Sequence, residues 1–212
     1  MNHDAYYEKM RSLAREVRQQ YGLTTPRVLK SDMRRIYKDQ GIHIDLWPHK
    51  FKQIRGAYFD DECGPTVMLR ADLPQDPMIF TMGHELKHHI EDREKTLSYC
   101  TTGNVNEPIE IGAEVFAAEL LFPEQDFINW LDKLKVEPGQ CTAAALVCLK
   151  HETRTTLSYA GLAKTAKHLR YTESTFEKVA WKKLEEQLYG VPVYKLLPRS
   201  RNQHETTFGL HP

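Results

Sequence analysis

This chain has no bulk charge: 29 basic residues balance 29 acidic ones over 212 residues. A nucleic acid or a membrane surface would therefore have to be held by a local patch, because no overall field attracts it. Long apolar runs are also missing. Nothing approaches the roughly 20 apolar residues of a spanning helix, and Met1-Asn2-His3-Asp4 opens without the apolar core of a secretory signal. Both absences point to the cytoplasm and to no membrane partner. Cysteine is sparse, and Cys63, Cys100, Cys141 and Cys148 form no CxxC pair. With no export signal the thiols are expected to be reduced. There are no repeats and no low-complexity segments. The composition, 41% apolar and 27% charged, is that of a globular protein with one domain, or one domain and a substantial appendage.

The most informative segment is Thr81-Met82-Gly83-His84-Glu85-Leu86-Lys87-His88, which contains HExxH. On a helix, His84 and His88 project from one face a turn apart. Two imidazoles so spaced can hold one Zn²⁺, and Glu85 stands where it can take a proton from attacking water. The flanks support a helix. Asp76-Pro77 suits a helix start, and Ile79, Gly83, Leu86 and Ile90 repeat at helical spacing on another side. Ahead of it, Ile42 to Leu46 alternates, Ile54 to Phe59 is short and β-rich, and Thr66 to Leu69 follows a Gly64-Pro65 turn. A small sheet leading into an HExxH helix is the expected layout.

Two histidines are too few for a catalytic zinc site, which takes three protein ligands. His89 lies about 140° around the helix from His84 and reads as a solvated or hydrogen-bonded surface residue. The segment Glu107 to Pro123 offers a better source, with Pro108 suited to a first helical turn and Pro123 to a stop. Glu110 and Glu114 share a face of that helix, whereas Glu119 should face solvent. Glu110 can ligate the metal while Glu114 accepts a hydrogen bond from the far nitrogen of His84 or His88. The plain alternative is an amphipathic helix with its acids outside.

HELKHH followed by E-x-x-A-E-x-F-A-A-E-L-L-F-P resembles the ImmA/IrrE metallopeptidases, strongly over residues 40–123 and more weakly beyond. The resemblance implies an α+β, zincin-like core, a small sheet with an HExxH helix and a glutamate helix. It assigns His84, His88 and Glu110 to zinc and Glu85 to catalysis. It also implies limited proteolysis of a helix-turn-helix transcriptional repressor, controlling stress-response or mobile-element genes. This chain departs from the family pattern at three positions. The usual glycine of HELGH is Lys87, a second glutamate is replaced by Gly112, and an Asn or Asp by Glu114.

The remaining chain divides into residues 1–123 as the core with an N-terminal helix, 124–190 as a mainly helical region and 191–212 as an extended tail. Residues 5–21 read as a helix with a stripe of Arg11, Arg15 and Arg18, either solvated or facing an acidic partner. Helices are expected over roughly 124–135, 141–151, 157–168 and 173–189. The stretch from Ala160 to Leu184 has helix-turn-helix spacing, but its glutamates dilute the basic face that DNA binding requires. Docking a substrate or covering the cleft fits it better. A second oxyanion donor is wanted, for which Tyr99, His151, Tyr159 and His168 are candidates. Cys100 could reach the metal as a redox-sensitive ligand, or be a small buried apolar residue. A DNA-binding regulator, or a toxin-like partner-binding module, with a structural or vestigial zinc site is the alternative to a peptidase.

Overall fold

The computed structural model describes residues 3–48, 54–93 and 107–196; Tyr99 and Cys100 lie outside them. Two helices, α1 (His3–Gln20) and α2 (Lys30–Asp39), precede the strands β1 (His43–Trp47), β2 (Gly56–Asp61) and β3 (Gly64–Arg70). Six helices follow: α3 (Gln75–Glu91), α4 (Pro108–Leu121), α5 (Glu124–Lys133), α6 (Ala143–Thr153), α7 (Tyr159–His168) and α8 (Trp181–Tyr189), then the short α9 (Val193–Leu196). The architecture is α+β, as expected.

The sheet order is β1-β3-β2, with β1 parallel and β2 antiparallel to β3. β2 and β3 form a hairpin closed by Glu62 and Cys63. There the Cys63 amide donates to Asp61 Oδ1 at 2.8 Å, and Gly64 takes a φ of +93° that other residues rarely adopt. One hydrophobic core gathers Met10 and Val17 of α1, Met33 and Ile36 of α2, Val67 and Leu69 of β3, Ile79 and Leu86 of α3, and Phe116 and Leu120 of α4. A second gathers Phe122, Phe127, Leu131, Leu146, Leu149 and Leu162 from the later helices. Phe80 of α3 packs against both.

Helix α4 lies against α3 on one side and α1 on the other. At Gly83, a side chain would meet Ala117 at 3.4 Å, so the missing Cβ lets the two helices come close. Burial on both sides overturns two expectations. Arg11 and Arg18 are buried: Arg11 pairs with Glu124 at 2.6 Å, and Arg18 donates to the carbonyls of Leu120 and Thr25. Glu119 is 3% exposed and accepts from Arg15 at 3.1 Å and from the Glu124 amide at 2.9 Å. Arg11 and Arg18 therefore hold α1 onto α5 and α4 from within, while Arg15 stays exposed and reaches Glu119 from the rim.

The C-terminal region also departs from expectation. Residues 173–180 are not helical; Phe176 has a φ of +55°, and the Thr172 and Ser174 hydroxyls each accept the amide two residues on. Helix α8 begins only at Trp181. The link from α7 is thus far longer than the three or four residues of a helix-turn-helix turn. Within the anticipated tail, Val193 to Leu196 is a turn of helix with Val193 buried. Among the described residues, no helix is long and apolar enough to cross a membrane.

Candidate active site

Helix α3 starts at Gln75, with Asp76 in its first turn, and carries the motif through to Glu91. His84 and His88 are a turn apart, and their Nε2 atoms approach to 3.3 Å. Glu110, in the first turn of α4, closes a triangle: Oε2 lies 3.3 Å from Nε2 of His84, and Oε1 lies 3.5 Å from Nε2 of His88. Among the described residues this is the one group of three His, Cys, Asp or Glu side chains set to hold a metal ion. The spacing fits the ion the donors suggest. Ligands about 2.0–2.2 Å from a tetrahedral zinc stand about 3.3–3.5 Å apart. One ligand atom from each of the three side chains lies within 4.8 Å of the others, with the two Glu110 oxygens each turned to one imidazole, so the set would suit a zinc held by three protein ligands.

Residues 38–136, spanning the sheet, α3, α4 and α5, match the family model described as the IrrE N-terminal-like domain of the M78 peptidases. Over these residues the chain is similar to an IrrE N-terminal-like domain. No curated protein matches the chain. The family is one of metallopeptidases, so the donor triangle and the matched domain agree in kind.

Within the IrrE-like domain each imidazole is held by more than its helix. His88 is fully buried, and its Nδ1 lies 2.9 Å from Oδ2 of Asp92, the residue that caps the C-terminal end of α3. A carboxylate on Nδ1 fixes that nitrogen as the protonated one and turns the Nε2 lone pair toward the metal position. The expected partner was Glu114. That carboxylate instead accepts from Lys164 Nζ at 2.8 Å, because its position on α4 faces α7. Asp92 is absent from the sequence-based expectations, although its place four residues after His88, at the end of the motif helix, was a visible signal. Burial would raise the Asp92 carboxyl, but hydrogen bonds from His88 and Lys87 outweigh it and hold it at about 2.

For His84, burial lowers the affinity for a proton, while the hydrogen bond to Glu110 and the charges of Glu85, Glu110 and Glu114 raise it. The net direction is upward, so in the metal-free chain this imidazole holds its proton above the ordinary range. Metal must displace that proton in order to bind.

Glu85 is 1% exposed, on the side of α3 that meets the start of β2. A Cβ on Gly56 would sit 2.9 Å from Glu85 Oε1 and 2.5 Å from Thr81 Cγ2. The bare glycine lets the strand lie directly on the glutamate. Nothing in the sequence marked Gly56; it emerges only when strand and helix are packed. His89 is buried rather than on the surface: Nδ1 lies 3.0 Å from the Tyr58 hydroxyl of β2. Burial, and then the charge of Arg93, lower its pKa and keep it neutral.

The candidate oxyanion donors within the described residues are engaged in other contacts. His151 stacks on Tyr189 with ring centroids 3.6 Å apart. Tyr159 donates to Glu185 and stacks on Trp181. His168 lies 2.7 Å from an Arg11 guanidinium nitrogen. Each is bound into contacts among α1 and the later helices, and the triangle includes none of them.

Proposed function

We propose that this chain is a zinc-dependent endopeptidase that performs limited proteolysis of a regulatory protein in the cytoplasm. The observation that carries the reading is the triangle of two Nε2 atoms and a carboxylate at 3.3–3.5 Å, with Glu85 on the same helix. His84, His88 and Glu110 would hold the metal. Zinc supplies Lewis-acid polarisation of water and of the scissile carbonyl. Glu85 accepts the proton of the attacking water and returns it to the departing amine. Its burial against Gly56 shields it from bulk solvent and fixes its direction. Asp92 keeps His88 in the tautomer that presents Nε2.

The substrate assignment rests on the ImmA/IrrE resemblance of the two motifs, which implies a helix-turn-helix repressor as the protein cleaved. A peptidase of that kind is narrow, so inactivity on casein is compatible with it. Helices α6 to α8 serve in this reading to dock the substrate, since the long α7–α8 link removes the helix-turn-helix that DNA binding would have used.

The test has two parts. Untagged protein should carry about one zinc by mass spectrometry, as one tetrahedral site requires, and His88→Ala should lose it. Glu85→Gln should keep the zinc and abolish cleavage of a repressor substrate. A wild-type chain that takes up no zinc on loading, or a Glu85→Gln enzyme that still cleaves, would overturn the assignment.

A further inference from the structure

Lys87 has no exposed surface, although it lies between two residues of the HExxH helix that bracket the metal position. A buried ammonium must be compensated, and this one is compensated three times. Nζ donates to Oδ2 of Asp92 and to the backbone carbonyl of Ile109 at 3.2 Å. It also stands 5.7 Å from the centre of the Tyr6 ring, within the range of a cation–π contact.

The destinations of those contacts give the lysine its meaning. Asp92 is the carboxylate on Nδ1 of His88. Ile109 immediately precedes Glu110 in the first turn of α4. One ammonium therefore ties down the partner of one donor and the backbone beside another. Tyr6 can cover it only because α4 has no side chain at Gly112. A Cβ there would lie 2.6 Å from Tyr6 Cε1 and 2.8 Å from its hydroxyl oxygen. Lys87 and Gly112, two of the departures from the ImmA/IrrE pattern, thus make a single local structure with the N-terminal helix as its lid.

We propose that Lys87 is a positioning residue of the metal site: seated under Tyr6 in the space Gly112 leaves, it locks Asp92 onto His88 and α4 onto α3. It does not touch the metal position. It acts through Asp92 and Ile109, and α1, outside the matched residues 38–136, becomes part of the support of the site. The inference rests on the zinc-site reading, but its direct readout does not require metal.

Lys87→Met removes the charge and keeps the length. In metal-free protein, long-range ¹H–¹⁵N spectra should show His88 protonated at Nδ1 in the wild type and mixed between tautomers in Lys87→Met. Zinc affinity, by competition with a chromophoric chelator, should fall roughly tenfold, the lower end of what loss of such outer support costs. Gly112→Ala, which pushes Tyr6 off the lysine without altering any donor, should shift both readouts the same way and stands in if Lys87→Met does not fold. A folded Lys87→Met or Gly112→Ala protein with the wild-type tautomer and a zinc affinity within twofold of wild type overturns the proposal. Wild-type protein that fails to bind zinc would sink the peptidase reading instead, while the tautomer comparison would still decide the role of Lys87.

Discussion

The first core and the C-terminal helices each bury a lysine, and the two are held differently. Lys87 pairs with Asp92, a carboxylate that is itself bound to His88. Lys150 of α6 donates to the carbonyls of Thr155 and Leu157, both at 2.8 Å, and lies 3.6 Å from Asp76 in the first turn of α3. Burial lowers its pKa, with Asp76 and Glu185 pulling the other way. Its partners are mostly backbone, so what it secures is the course of the chain between α6 and α7 and the seating of that segment on α3. Depth of burial is shared between the two lysines. What distinguishes them is the residue at the far end of the hydrogen bond: the imidazole of a candidate metal ligand in one case, a loop in the other.

That contrast is broken most directly at Lys150. Lys150→Met strands two buried carbonyls and removes the cation beside Asp76, and should cost about 3 kcal/mol of stability. Zinc affinity of the folded variant should not move. Denaturant unfolding and chelator competition on the same samples check both halves. A drop in zinc affinity as large as that of Lys87→Met would mean that the two lysines serve one network and that the distinction fails.

In the proposed peptidase, holding a metal and moving a proton are separable tasks, and Gly56 lies beside Glu85, the residue assigned to the second. Gly56→Ala forces a methyl against Glu85 Oε1 and Thr81 Cγ2 and leaves the donor triangle alone. A displacement of the base by about 1 Å is expected to cost about a hundredfold in turnover. Zinc content should stay at the wild-type level, and turnover of a repressor substrate should fall with it bound. If zinc is lost as well, β2 supports the triangle and not just the glutamate.

How far the sequence could be read follows from which physical signals are local. The motif helix and the Glu110 helix were legible because 3.6-residue periodicity, Pro108 and the HExxH spacing are contained in the segment itself. α2 was not anticipated: Met33, Ile36 and Tyr37 carry the right spacing, but only ten residues hold it, among six charged ones. Glu119, Arg11 and Arg18 were misplaced because a helical wheel ranks faces without telling how many are covered. With α1 on one side of α4 and α3 on the other, the supposed solvent face became an internal salt-bridge layer. Lys87 could be seen as an odd cation beside the site, but its role needed three partners from α1, α3 and α4, and no local pattern carries that. The helix expected from residue 173 failed because Thr172 and Ser174 satisfied nearby amides with their hydroxyls, the competition that favours turns over helix.

The smallest expected effect concerns that internal layer and sets it apart from the metal site in its response to pH. Burial raises the Glu119 carboxyl, as does the charge of Glu124, and this prevails over the hydrogen bond from the Glu124 amide and over Arg15. A carboxyl raised in the folded state keeps its proton at a pH where the unfolded chain, near the ordinary 4.5, has already lost it. Between those two values the folded state binds more protons, so folding loses stability as pH rises, and below the ordinary value the penalty vanishes. Glu119→Gln removes the titration while leaving an oxygen for Arg15. Its stability relative to wild type should therefore improve as pH climbs from about 4.5 toward neutrality, by less than either change above, and its zinc affinity should match wild type. Unfolding midpoints at several pH values measure the slope. A difference that does not vary with pH would show that Arg15 holds Glu119 ionised throughout, and that the α1–α4 layer is a settled ion pair and not a strained one.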